Sequence, residues 1–342
     1  MARDQTLLSG CVPAFARHNG YPPRWGWPVK VHAALREDTQ AFARAKAPGT
    51  LGVGSSIVAP MRFWSLAFGL IRQDERACGG PRPVCATGRG HWLLEEEEGA
   101  DPYLEEAATL WLLHWWLLSA QPCHVPTFRY LFGIWGRSRF ARAELQAAVQ
   151  DAAVATGWSR PADRRIQRDI TALVSMYGTT GQPDRPSAHA VEEYVSNPFR
   201  QLGLLELAAA EAHFGEQPRT TRPSDRDLRV NRHRGTSCCP RAILAYACLQ
   251  YAQLQDVRAP GAIALGRLHT DPVGPGRLLL ADRRALRTAL EQVEVGPTGR
   301  GVRLAASGDG EELLAFTEPP GDLADRLLAA RYRRLDGPAS QR

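Results

Sequence analysis

Lysine is nearly missing from this 342-residue chain. Of its 42 basic residues only Lys30 and Lys46 are lysines, which leaves 40 arginines. Arginine forks onto phosphates and guanine edges better than lysine does. The codon bias of a GC-rich genome produces the same excess, so only the placement of particular arginines carries information. A long apolar run is missing too. The longest, Ala107–Leu118, is broken by Thr109 and His114 and is too short to span a membrane. The opening "MARDQTLLSG" has no apolar core of a signal peptide, so the expected location is cytoplasmic, with no membrane partner. The seven cysteines (11, 78, 85, 123, 238, 239 and 248) contain no C-x-x-C pair, which excludes a disulfide framework and favours reduced thiols. Cys78, Cys85 and His91 could supply three metal ligands, but their spacing matches no zinc pattern.

Catalytic signatures are equally scarce. There is no phosphate loop, dinucleotide fingerprint, H-E-x-x-H or G-x-S-x-G. The PD-(D/E)XK, HNH and GIY-YIG patterns of common nucleases are also absent. No organic cofactor is expected.

What remains has the balance of a globular protein, 44% hydrophobic and 23% charged, with length for two or three domains. The net charge of +6 favours an anionic partner weakly. The pattern reads as mainly α with small β hairpins, arranged as several winged-helix or helix-turn-helix-like units. Residues 1–100 form the first such unit. In it "VKVHAALRED" and "DTQAFARAKA" are helices, the second ended by "PGT", and Ser55 or Ser56 caps a third that becomes regular near Ala59 because of Pro60. The stretch after Ile71 reads as a loop and hairpin. Residues 101–216 hold a helix beginning at Asp101 or Pro102, with Trp111, Trp115 and Leu118 on one side, and a second trihelical unit. Within the apolar helix, His114 reads as a buried histidine hydrogen-bonded to backbone. Residues 217–240 have the composition of a basic linker, and residues 241–342 a third winged-helix-like domain whose hairpin joins "GVRLAAS" to "ELLAFTE".

DNA is the partner these units suggest. In the third helix Arg62 lies near the expected groove contact, with Ser55 and Ser56 at the helix start. In "RRIQRDITALVSMY", Ile166, Ile170, Leu173, Val174 and Tyr177 make an inward stripe. Arg160, Arg164 and Arg168 recur away from it, with Arg165 alongside, where phosphate contacts would form. The Pro-rich loop "FARHNGYPPRWGW" offers Arg17 and Arg24 to phosphate and aromatics to unpaired bases, and places His18 for proton transfer. Asp101 and Glu105, four apart, could share a helix face and hold a divalent metal such as Mg or Mn. Solvated arginines and helix-capping carboxylates are the plainer alternatives.

Five blocks then occur in one order: "FARHNGYPPRWGW", "LGVGSSIVAPMRFWSLAFGLI", "DPYLEEAATLWLLHWW", "RRIQRDITALVSMY" and "NPFRQLGLL". Together they resemble a bacterial family, long of unknown function, encoded beside sulfurtransferases that look like phosphoadenosine-phosphosulfate reductases and represented in the Ssp DNA phosphorothioation system. The resemblance implies a DNA-nicking component of an anti-phage modification system that replaces a phosphate oxygen with sulfur. Implied partners are a cysteine desulfurase, an ATP-pyrophosphatase-type sulfurtransferase and an ATPase. The competing expectation is a non-catalytic DNA-binding scaffold or transcriptional regulator.

Overall fold

Short apolar segments punctuated by proline and glycine build many short elements in the computed structural model, which describes residues 8, 10–42, 47–73, 83–179, 196–207, 227–295 and 299–333. Helix α1 (Trp27–Glu37) starts on Pro28, whose missing N–H is not needed in a first turn, and buries Val31, His32, Ala34 and Leu35. The next helix, α2 (Ala47–Leu51), falls on the "PGT" that was expected to end one. Pro48 lies in the first turn, where proline is tolerated. Helix α3 (Ser55–Ala67) begins at Ser55 and carries Pro60 inside it. Neither serine caps α3: Gly54 holds the capping position and no side chain closes the first turn. Ile57 N–H donates to the Gly54 carbonyl at 2.9 Å, which leaves the N–H groups of Ser55 and Ser56 to solvent or a ligand.

Strands β1 (Ile71–Gln73) and β2 (Val84–Ala86) pair antiparallel, as the expected hairpin requires. Helix α4 (Gly88–Leu94) follows, capped by Thr87, whose hydroxyl accepts from Gly90 N–H at 3.1 Å. A Cβ on Gly90 would lie 2.2 Å from the Leu70 carbonyl, so glycine is what lets α4 close onto the chain entering β1.

Helix α5 (Ala107–Ser119) is buried on every side from Ala108 to Ser119, not on one face. A helix apolar all round belongs in the centre of a core. It starts at Ala107, so Asp101 and Glu105 precede it. His114 is where the sequence suggested: Nε2–H donates to the Leu278 carbonyl at 2.9 Å and Nδ1 accepts from the Tyr177 hydroxyl at 2.8 Å. Burial pushes its pKa down from 6.5 to about 4. The unfolded chain therefore takes up this proton first. The stability contributed is complete above pH 6.5 and is lost as pH falls toward 4, by about 2 kcal/mol at pH 5. Urea unfolding of His114→Gln should depend less on pH between 7.5 and 5 by that amount. Equal pH slopes in the two proteins would refute it.

Helix α6 (Pro126–Arg129) runs into a π-helical turn (Tyr130–Ile134). Strand β3 (Arg139–Phe140), α7 (Arg142–Ala155), α8 (Asp163–Tyr177) and β4 (Gly178–Thr179) follow. Strands β5 (Leu205–Leu207) and β6 (Leu228–Val230) complete a four-stranded sheet of order β3-β6-β5-β4, with only β4–β5 parallel.

The expected linker 217–240 needs correction. Residues 217–226 lie outside the described residues, but 227–240 build β6 and α9 (Arg234–Cys238). Leu228 and Val230 alternate with Arg229, a strand period that the arginine-rich composition hides. Its arginines are engaged: Arg229 pairs with Glu206, and Arg234 Nε donates to the Leu202 carbonyl at 2.8 Å.

The C-terminal part runs α10 (Arg241–Leu254), β7 (Gly261–Ala264), α11 (Leu265–Thr270), α12 (Pro275–Leu278), α13 (Arg283–Glu294), β8 (Val302–Ala306), β9 (Glu312–Phe316) and α14 (Pro320–Arg333). The antiparallel sheet has order β7-β9-β8, and the expected hairpin is β8–β9. Buried residues from Leu8 to Tyr332 form one connected core. Among the described residues no helix is long and apolar enough to cross a membrane.

Candidate nucleic-acid interface

The Pro-rich loop before α1 is held by one carboxylate. Ala16 and Asn19 adopt left-handed φ values of 57° and 54°, a conformation that needs support outside glycine. Asp169 of α8 supplies it: Oδ1 accepts from Ala16 N–H at 2.7 Å and from His18 Nε2–H at 3.0 Å, and Oδ2 from the Thr127 hydroxyl at 2.7 Å. His18 Nδ1 accepts from Gly20 N–H at 3.1 Å, and its ring stacks on Trp64 with centroids 5.4 Å apart. His18 is therefore a buried strut, 2% exposed with both nitrogens engaged, and this geometry gives it no access to a substrate proton. Sequence reasoning missed Asp169, because a carboxylate inside an arginine-rich helix looks solvated.

Between these pinned neighbours, Arg17 turns outward. It lines a groove of about 670 Å³ with Arg62, Ser55, Gln73 and His124, floored in part by Phe63. Three residues selected from sequence, Arg17, Ser55 and Arg62, are thus brought together. No carboxylate lines the groove, and neither arginine has an ion pair among the described residues. Arg62 Nε is buried without a hydrogen-bond partner. Ser56 is exposed beside Ser55. His124 was not selected, since nothing local marks it. Burial lowers its pKa below the usual histidine value, so its imidazole is neutral near pH 7.

The other candidates separate. Arg24 is half-buried, with its guanidinium over the Trp27 ring. Arg160 precedes α8 rather than riding on it, and pairs with Asp151 at 3.0 Å. Arg164, Arg165 and Arg168 are exposed on α8 opposite Ile166, Ile170 and Leu173. Arg165 lies one turn before Asp169 and shares the side of α8 that holds the Arg17 loop. Asp101 and Glu105 do not make a metal pair. Asp101 accepts from Glu105 N–H, Glu106 N–H and the Thr109 hydroxyl at 2.8, 3.0 and 2.5 Å, which uses both of its oxygens. The Glu105 side chain is exposed.

Among the described residues one cluster has the makings of a metal site: His32 of α1, with His91 and Glu95 at the end of α4. Cys78, of the set suggested by sequence, lies outside the described residues.

These features define a mainly helical protein with small antiparallel hairpins and, on its N-terminal part, an arginine groove lined by no carboxylate among the described residues. The chain belongs to the DUF4007 family, described as proteins of unknown function, whose model matches residues 15–332. It is similar to a crystal structure of magnesium-ion-bound SspB, with 31% identity and a TM-score of 0.83 over 97% of this chain and 92% of that one. A second SspB crystal structure gives 31% identity and a TM-score of 0.82 over 98% and 92%. No curated protein matches the chain.

Proposed function

We propose that the protein binds DNA through the Arg17–Arg62 groove and acts as the strand-nicking component of an Ssp-type DNA phosphorothioation system. The observation that carries the DNA-binding half is the groove itself. Two arginines with no ion pair among the described residues, the start of α3 without a side-chain cap and the Phe63 ring in the lining are a set suited to a phosphate backbone and a splayed base. The nicking half rests on what the five-block resemblance implies; the likeness to SspB supports the Ssp-type setting alone. The arginine face of α8 extends the surface through Arg165 to Arg164 and Arg168. Two stretches fit winged-helix units by element order. In the first, α1 to α3 are followed by the β1–β2 hairpin. In the second, α10, β7, α11, α12 and α13 are followed by the β8–β9 hairpin in a β7-β9-β8 sheet. A cysteine desulfurase, a sulfurtransferase and an ATPase of the same system are the proposed partners.

Proton transfer during nicking falls to His124, the neutral imidazole in the groove, rather than to His18. Purified protein should convert supercoiled plasmid to open circles with Mg or Mn, and His124→Gln should slow this far more than it weakens DNA binding. If no metal supports nicking, the enzymatic half is lost. The engagement of His18 and Asp101 favours a second reading, a non-catalytic DNA-binding scaffold, which requires gel shifts without cleavage.

A further inference from the structure

Metal ligation needs donor atoms that converge with lone pairs uncommitted. His32 is 3% exposed, and its Nε2 has no hydrogen-bond partner. A buried polar atom without a partner is costly and calls for an explanation. His32 Nε2 lies 3.9 Å from Glu95 Oε2, and His91 Nδ1 lies 3.3 Å from the same oxygen. One ligand atom from each residue falls within 4.8 Å of the other two. A bound ion with bonds of about 2.0–2.2 Å holds its donors roughly 3.0–3.5 Å apart. The His91–Glu95 pair already meets that spacing. Closing the set on His32 takes small shifts of the His91 ring, whose side chain is 55% exposed, and of Glu95 Oε2, which stands 3.9 Å from His32 Nε2.

The surroundings suit ligation. Arg36 Nη1 holds the other oxygen, Glu95 Oε1, at 2.9 Å, which fixes the carboxylate and leaves Oε2 facing the imidazoles. Glu95 at the end of α4 is four residues from His91, and the Gly90 contact with Leu70 seats that helix.

We propose that His32, His91 and Glu95 bind a borderline divalent transition-metal ion, of the zinc, cobalt or nickel kind, that clamps α1 to α4. Magnesium does not fit this set. It takes oxygen ligands in near-ideal octahedra and keeps its waters, whereas two of the three donors here are imidazole nitrogens. Three protein ligands leave coordination positions for water on the exposed His91 side. The inference goes beyond the nicking reading and does not depend on it, because its readout is a spectrum rather than cleavage.

The test uses the full chain stripped with a chelator and titrated with Co²⁺. Visible d–d absorption should rise to one equivalent, and Zn²⁺ should displace the cobalt while millimolar Mg²⁺ should not. His91→Ala and Glu95→Gln alter exposed or half-buried side chains, so the fold should survive them. Each should weaken cobalt binding about 100-fold or more, beyond what losing an outer-shell partner does. The Tm rise that Zn²⁺ gives the parent chain should vanish in both. Absence of cobalt uptake would overturn the proposal, as would uptake indifferent to both variants. A sulfur-to-cobalt charge-transfer band would also overturn it, by moving the ion to the thiols.

Discussion

Asp169→Ala should destabilise the protein by about 3–5 kcal/mol, the loss expected when one member of a buried polar network is removed. Asp169 is 3% exposed and is the shared acceptor for Ala16 N–H, His18 Nε2–H and the Thr127 hydroxyl. Truncation leaves the buried His18 and Thr127 donors and the part-buried Ala16 amide facing a cavity. The hydroxyl alone can rotate toward another partner, so Thr127→Ala should cost nearer 1 kcal/mol. Asn at 169 keeps the shape and one carbonyl oxygen, and should fall between the two. Urea midpoints for the three variants check this order. A loss under about 1 kcal/mol in Asp169→Ala would mean that water replaces the carboxylate. Ala16 and Asn19 hold positive φ values, so releasing Asp169 should also let the loop relax and scatter Arg17.

Local periodicity made part of this legible from sequence. The Ile166–Ile170–Leu173 stripe and the hairpin across "GDG" depend on neighbours close in the chain, and both are present. Arg17, Ser55 and Arg62 could be selected one by one, Arg17 from an exposed loop, Ser55 from a helix start and Arg62 as the one basic residue of an otherwise uncharged helix. What sequence could not supply was convergence. Ala16 and Asp169 are 153 residues apart, and nothing local in α8 distinguishes Asp169 from a solvated acid. His32 lies on a different helix from His91 and Glu95, so no ligand spacing exists to be read. Asp101 and Glu105 misled for the opposite reason. Their i,i+4 spacing implies a shared face only inside a helix, and α5 begins after both. Segment 227–240 misled through composition, since Arg229, Arg232 and Arg234 pack against Glu206, the Trp135 carbonyl and the Leu202 carbonyl.

Arg17→Ala combined with Arg62→Ala should weaken DNA binding on the order of 100-fold at moderate salt while leaving the fold intact. The size follows from removing two charge-assisted contacts of about 1.5 kcal/mol or more each. The fold should survive because Arg17 is exposed and the Arg62 guanidinium has no ion pair to lose among the described residues. Each phosphate contact releases close to one counterion, so the salt slope should fall by roughly two units. Arg164→Ala with Arg168→Ala makes the comparison informative. Those arginines face solvent on α8 with no partner fixing their direction among the described residues, so their contacts are more screened and more costly in side-chain entropy. Their double variant should lower the slope by a similar two units if DNA reaches α8, with a smaller loss of affinity. Arg165→Ala, beside the Asp169-held loop, should sit between the pairs. Filter binding across 50–300 mM salt separates the cases. A slope that moves only with Arg164 and Arg168 would transfer DNA to the α8 face and leave the groove for another ligand. A slope unmoved by either pair would leave the arginines as a solvated surface. Lost affinity together with a lowered Tm in the Arg17/Arg62 variant would mean that the groove arginines support the loop rather than a phosphate.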